Sequence, residues 1–311
     1  ALEGVAAPVS VISEPCARGT GAALGLAVHQ LARSDPDAVM VSVHADHHVG
    51  DDDAYRAAVL AAAGWAVASG GLATVGLTPA SPATGFGYLA LGERLPSDRW
   101  TAPPGTGADA ELLAAASALP AAAAEGFVEK PDRERAEEYV RDGRHLWNLG
   151  LFAWTAPVFL AELAGADPAM DATLRDMVAA RAAGDEDGAA RLYAALAPVA
   201  VEPLVFERTN RLTAVRAAFD WSDLGTWADL ASSVAAAADA GGNVTTGEAL
   251  LLESRGCYVM SAGGRTVALV GVDGLAVVDT GDAVLVLRLG AEQLVREVVE
   301  QLRASGKPDL I

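Results

Sequence analysis

Residues 37–53 read DAVMVSVHADHHVGDDD, an apolar run closed by a cluster of histidines and aspartates. A run of this length, 38–43, bounded by polar residues fits a buried strand of a parallel sheet. In open α/β sheets ligands bind beyond the carboxyl ends of such strands, so Asp46 lies where chemistry is expected. The flanking sequence supports the same reading. Upstream, residues 9–12 form a short strand candidate, and residues 21–33 place Ala23, Leu24, Ala27, Val28 and Leu31 at helical spacing. Downstream, the aspartates at 51–53 offer an N-cap to a helix over 54–69, Gly70 and Gly71 stop it, and 72–77 returns as a strand. Strand, helix, strand, helix, strand is the rhythm of a parallel sheet with crossover helices, a Rossmann-like α/β domain.

The rest of the chain extends that domain and then changes texture. Residues 78–92 are rich in turn formers, and 94–107 form a loop containing Pro and Gly. Residues 125–130 read as a strand ending in Glu129-Lys130-Pro131, and Asp132 caps a charged helix that stops at Gly143. A strand over 149–154, helices over 157–197, a strand over 211–216 and a short helix after Trp227 follow. Residues 235–243 (AAAADAGGN) are the best linker. Beyond them short β segments at 250–253, 257–260, 266–270, 275–279 and 283–287 alternate with Gly-bearing turns, and an amphipathic helix over 291–303 closes the chain. The expected domains are therefore 1–235 and a small β-rich domain at 243–311.

A net charge of −19 argues against binding to nucleic acid or to an anionic membrane surface. No uninterrupted apolar run has the length of a membrane span, and Cys16 and Cys257 match no metal or redox spacing. A cytoplasmic, reduced protein is expected. A phosphorylated substrate would need local cations or a metal.

Two metal readings compete at Asp46. Ser42-Val43-His44-Ala45-Asp46-His47 resembles the His-x-His-x-Asp-His zinc motif of metallo-β-lactamases, but Ser42 replaces the leading ligand. Only His145 follows His48, too few nitrogen donors for a dinuclear zinc site. The second reading needs Asp46 and one distant carboxylate holding Mg2+, a hard ion that takes oxygen ligands together with substrate phosphates. Asp223, in a loop flanked by Trp221, Gly225 and Trp227, is the natural partner. Taken singly, each aspartate is more often a cap or a solvated loop residue. Their company weighs against that: Lys130 can set a compact charge on a phosphate, Asn148 can donate to and accept from sugar hydroxyls, and the glycines of Thr84-Gly85-Phe86-Gly87-Tyr88 permit close backbone approach.

In sequence order, Glu14-Pro15-x-x-Arg18, Ala45-Asp46-His47, Thr78-Pro79 with Ala83 to Tyr88, Phe127 to Pro131, Trp147-Asn148-x-Gly150-x-Phe152 and Trp221 to Trp227 together resemble the mannose-1-phosphate guanylyltransferase (GDP-mannose pyrophosphorylase) branch of the sugar-nucleotide pyrophosphorylases. The resemblance implies a nucleotidyltransferase (GT-A-like), mostly parallel sheet. It also implies transfer from GTP to mannose 1-phosphate, giving GDP-mannose and pyrophosphate. By that likeness Asp46 and Asp223 would hold Mg2+, and Lys130 would contact the sugar phosphate. Glu129, Asn148 and the Gly85 backbone would bind mannose hydroxyls, with Glu207 near the sugar.

One departure stands out. The family opens with a Gly-rich loop carrying Arg, whose amides and cations hold the triphosphate, and this sequence contains no such stretch. The expectation is weak or absent turnover by the chain as given. The competing readings are a non-catalytic subunit binding a sugar phosphate or sugar nucleotide, or an inactive fragment of this family. A strand edge left unpaired would favour pairing with another chain, as a homo-oligomer. Nucleobase and hexose choice are not fixed by these motifs.

Overall fold

A computed structural model describes residues 9–96, 110–307 and 310. In chain order the elements are α1 (Gly19–Ala32), β1 (Val39–Ser42), β2 (His48–Val49), α2 (Asp52–Ser69), β3 (Leu72–Leu77), β4 (Tyr88–Leu95), α3 (Ala110–Ala116), β5 (Ala121–Val128), α4 (Arg133–Asp142) and β6 (His145–Thr155). They continue with α5 (Ala156–Ala166), α6 (Pro168–Ala182), α7 (Glu186–Ala194), β7 (Leu212–Ala217), β8 (Trp221–Ser222), α8 (Trp227–Ser233), β9 (Val244–Thr246) and β10 (Ala249–Leu252). The last are β11 (Tyr258–Ser261), β12 (Val267–Val270), β13 (Leu275–Asp279), β14 (Val284–Arg288) and α9 (Val295–Ala304). Most of the expected loop at 94–107 lies outside the described residues.

The chain forms two compact units, one of residues 1–44 and 51–219, the other of 45–50 and 220–311. The expected division ran through the linker at 235–243. The second unit instead begins at Asp220 and takes in the 45–50 loop. The reason is local pairing: β2 runs antiparallel to β8, His48 opposite Ser222, and the Gly50 amide donates to the Asp220 carbonyl at 2.8 Å.

The first unit is built on a six-stranded sheet in the order β1-β6-β3-β7-β5-β4. Its α/β class matches expectation, but its hydrogen bonding is not mostly parallel. Among the described pairings of this sheet only β3 with β7 is parallel. The cause is β6, antiparallel to β1, to β3 and, through residues 145–147, to β4, together with β5, antiparallel to β4 and to β7. The stretch around β1 is corrected in the same way. β1 lies at the end of the strand order, is half-buried at every residue, and pairs antiparallel with β6 rather than filling a parallel core. Residues 9–12 are exposed and form no strand.

β3 and α2 occupy the centre. All six residues of β3 are buried, the continuous apolar pattern of a strand covered on both faces. The Asp51 carboxylate accepts from the Asp53 and Ala54 amides at the start of α2, and Gly70 in the left-handed region ends it. Across the sheet, Phe152 stacks on Phe206 with ring centroids 3.7 Å apart and Trp154 stacks on Phe159 at 4.5 Å, so an Ala-rich chain places its few aromatics in one core.

The second unit is a coil of short strands. β9, β11 and β13 pair in parallel, β10 pairs in parallel with β12, and β14 closes the first sheet antiparallel to β13. Inward-facing Cys257, Val259, Leu269 and Val277 form its thin core. Val244, Tyr258 and Ala276 stack in register on another face and pack against Trp227, Leu230 and Ala231 of α8.

Candidate functional site

The predicted site residues divide between the units: Gly85, Glu129, Lys130, Asn148 and Glu207 on the first, Asp46 and Asp223 on the second.

On the first unit, β6 supplies Asn148. Its backbone N–H donates to the Gly87 carbonyl at 2.8 Å, tying it to the turn that precedes β4. Its Oδ1 accepts from the Gly150 amide at 3.3 Å and faces the Thr74 hydroxyl at 3.2 Å. The register of β3 against β6 shifts between Thr74 and Gly76, opposite this point, and Gly150 takes φ 67°. A bulge of this kind re-aims side chains and recurs beside active sites. The adjoining Trp147 indole N–H is buried with no hydrogen-bond partner among the described residues.

Gly85 and Gly87 differ in their surroundings. A Cβ at Gly87 would come within 2.7 Å of the Glu129 carboxylate and 2.9 Å of the Phe127 ring, so a side chain there requires both to shift. A Cβ at exposed Gly85 would meet nothing within 4 Å, and its φ is not in the left-handed region. Nothing within the described chain requires glycine there.

Glu129 pairs with Lys130, Nζ to Oε1 at 2.9 Å, with both side chains largely exposed. Lys130 holds φ 46°, a backbone conformation that costs an L-residue about 1–2 kcal/mol. Strain of this type clusters at ligand sites. Glu207 follows a π-helical turn over Glu202–Phe206. Desolvation, with the Glu129 and Glu202 carboxylates adding to it, raises its pKa although the residue reaches solvent. Glu129, Lys130 and Glu207 are thus one electrostatic group.

Glu14 and Arg18, which open the motif series, serve packing. The Tyr193 hydroxyl donates to the Glu14 carboxylate, and the Arg18 guanidinium donates to the Ala194 carbonyl at 3.2 Å. Both clamp the loop before α1 onto α7.

On the second unit Asp46 and Asp223 line one cavity of about 860 Å3. Asp46 lies in the loop before β2 and Asp223 directly follows β8, so the β2–β8 ladder brings two remote segments to the same wall. Asp223 accepts from the Gly225 amide at 3.1 Å, and Leu224 between them takes φ 51°. Thr226 then caps α8, its Oγ1 accepting from the Asp229 amide at 3.0 Å. Among the described residues only Lys130, Leu224 and Glu253 are non-glycines at positive φ, and two of the three lie in these candidate loops.

The remaining wall was not foreseen. α9 contributes Val295, Arg296, Val299, Glu300 and Arg303, and Glu292 precedes it. The sequence signal was present, because Arg296 and Arg303 are seven residues apart and share a helix face. The cavity wall carries carboxylates, oxygen donors that suit Mg2+, and the Asp46 carboxylate also lies within 4.8 Å of a His47 ring nitrogen. No helix among the described residues is long and apolar enough to cross a membrane.

Residues 3–240 match the nucleotidyl transferase family, and residues 247–302 match the mannose-phosphate isomerase/GMP-like β-helix domain. The chain is 35% identical to mannose-1-phosphate guanylyltransferase of Escherichia coli K12 over 96% of its own length and 59% of that protein. It is 31% identical to the xanthan biosynthesis protein XanB of Xanthomonas campestris pv. campestris B100, over 97% of this chain and 59% of that protein. It therefore spans about three fifths of these curated relatives. A crystal structure described as mannose-1-phosphate geranyltransferase from Thermus thermophilus superposes with a TM-score of 0.76 at 31% identity, covering 95% of this chain and 78% of that one.

Proposed function

The chain belongs to the nucleotidyl transferase family, and we propose that its reaction is transfer of a guanylyl group from GTP to mannose 1-phosphate, with pyrophosphate leaving. The observation that carries the proposal is the convergence of Asp46 and Asp223, from remote segments, on one cavity wall. The names of its relatives supply the substrates.

In this reading the mannose 1-phosphate oxygen attacks the α-phosphorus of GTP, a displacement governed by positioning and by charge stabilisation. Mg2+, held by Asp46 and Asp223, would neutralise phosphate charge and draw the reactants into register. Lys130 binds the sugar phosphate, which requires it to exchange its Glu129 partner for the phosphate. Glu129 and Glu207 accept hydrogen bonds from mannose hydroxyls, Asn148 offers its amide to them, and the open space over Gly85 admits the sugar ring against backbone. The reaction is assigned to a soluble, cytoplasmic setting, with no nucleic-acid or lipid partner, in keeping with the acidic chain.

The test is pyrophosphate release from GTP and mannose 1-phosphate with Mg2+, beside Asp46→Ala. Release that is lost in the variant supports the assignment. No release by the parent chain, with sugar-nucleotide binding intact, would replace it with a binding subunit. Release that persists in Asp46→Ala would remove the metal role of that carboxylate.

A further inference from the structure

β3 reads Leu72-Ala73-Thr74-Val75-Gly76-Leu77, and every residue of it is buried. Thr74 is its one polar side chain and has no exposed surface. A hydroxyl taken into such a core costs free energy unless it finds partners. Thr74 finds two, both on β6. Its hydroxyl donates to the Leu151 carbonyl at 3.0 Å and lies 3.2 Å from Asn148 Oδ1, so one hydrogen serves two acceptors. The Gly150 amide donates to the same Oδ1 at 3.3 Å. A backbone N–H only donates, so the atom facing it is the amide oxygen of Asn148 and not the nitrogen. That oxygen is turned inward, against the bulge where β3 and β6 slip register between Thr74 and Gly76. Asn148 Nδ2, with two N–H donors, has no hydrogen-bond partner among the described residues and reaches solvent.

We propose that Thr74 is a positioning residue for the sugar site: with the Gly150 amide it holds Asn148 with its oxygen against the protein and its N–H donors toward the ligand. The inference rests on the sugar-binding reading of Asn148. It adds a residue that touches no ligand, and it fixes the polarity of the contact. Asn148 held in this way donates to the ligand, whereas an ionised Glu129 carboxylate only accepts. Both lie beside Gly87: the Asn148 amide donates to the Gly87 carbonyl at 2.8 Å, and a Cβ at Gly87 would meet the Glu129 carboxylate. A sugar hydroxyl satisfies both kinds of group, since it can accept from Asn148 and donate to Glu129. An ether or carbonyl oxygen satisfies only the first. An Asn148 amide free to turn over would present either face, and the discrimination would be lost. Fixing the amide before the sugar arrives also lowers the ordering cost of binding.

The experiment is calorimetric titration of the full chain with mannose 1-phosphate, for the parent, Thr74→Val, Thr74→Ser, Asn148→Ala, Asn148→Asp and the Thr74→Val/Asn148→Ala double variant, with thermal unfolding as the check on folding. Thr74→Val keeps the branched shape and removes the hydroxyl, and it should lose affinity about three- to tenfold. Thr74→Ser keeps the hydroxyl and should recover most of that loss. Asn148→Ala should lose about tenfold, and the double variant should bind no more weakly than Asn148→Ala alone, because Thr74 acts through Asn148. Asn148→Asp retains an inward oxygen without the outward donors, and should bind as weakly as Asn148→Ala. Parent-like affinity in Thr74→Val would overturn the proposal, as would a Thr74→Val loss that recurs in full beside Asn148→Ala. Parent-like affinity in Asn148→Asp would overturn the polarity. A parent chain that does not bind mannose 1-phosphate would strike the sugar reading itself, and the proposal with it.

Discussion

The two units each carry paired charges, and they differ in which charged groups line a cavity. On the sheet unit, Lys130 is already paired with Glu129, and Glu207 meets carboxylates that resist its ionisation. On the coil unit, Arg296 and Arg303 face a cavity without partners of their own among the described residues. A paired group must exchange one partner for another, and its net gain on binding is small. The cores differ too: the sheet unit buries stacked aromatics, whereas the coil unit buries thin clusters, Cys257, Val259, Leu269 and Val277 in one and Val244, Tyr258 and Ala276 in another.

The sharpest way to break the comparison is chemical. Asp223→Ala should lower pyrophosphate release about 1000-fold, the several kcal/mol expected of a lost metal site. Thermal unfolding should hardly move. A large loss of stability with residual activity would make Asp223 a loop strut. Next come the cores. Phe152→Ala should cost about 3–5 kcal/mol in denaturant unfolding, and Val277→Ala only about 2 kcal/mol for its two lost methyl groups. Equal effects would deny that the cores differ.

Acid separates the units further. Asp279, almost fully buried, accepts from Arg265 Nε at 2.8 Å and from the Gly281 amide at 2.8 Å, which holds its pKa down to about 2. A depressed pKa stabilises the fold above the unfolded value near 3.8 and is lost as pH falls toward 2. The coil unit should therefore lose stability across that window, and Arg265→Gln should move the loss to higher pH, visible in the Tyr258 near-ultraviolet signal. A loss that begins above pH 5 would point to other groups. A smaller effect is expected at Leu224. Glycine there relieves strain of about 1–2 kcal/mol and adds back about 0.5–1 kcal/mol of chain entropy. Leu224→Gly should thus be slightly more stable than the parent, and slower if the strained turn aims Asp223. The smallest is at Glu207, whose carboxyl should titrate above the ordinary range and fall back in Glu129→Gln, as followed by carboxyl-carbon NMR. No change would separate the two side chains functionally.

Much of this was legible in the chain. Asp51 and Gly70 bound α2, Asp132 and Gly143 bound α4, and the alternating short segments after residue 243 announced the β-rich region, because caps and turns are written locally. Motif order pointed to the transferase family, and the family match bears that out. Sheet polarity was not legible. An apolar run such as β1 does not encode which neighbour it pairs with, and β6 decided that by running antiparallel through the sheet. The two family matches part between residues 240 and 247, beside the composition change at the linker, whereas the compact units also gather 45–50 with 220–311 through the two-residue ladder between β2 and β8, which the sequence did not announce.

By itself, then, the sequence determined the elements, their caps, the acidic character and the residue types from which a phosphate chemistry can be built. Only the tertiary structure decided that Asp46 and Asp223 line one cavity, that a side chain at Gly87 would crowd Glu129 and Phe127, and that residues of the last helix line the same cavity. The physical reason is range. Propensities and caps act within a few residues, whereas a cavity is made by side chains that meet only after the strands between them have paired.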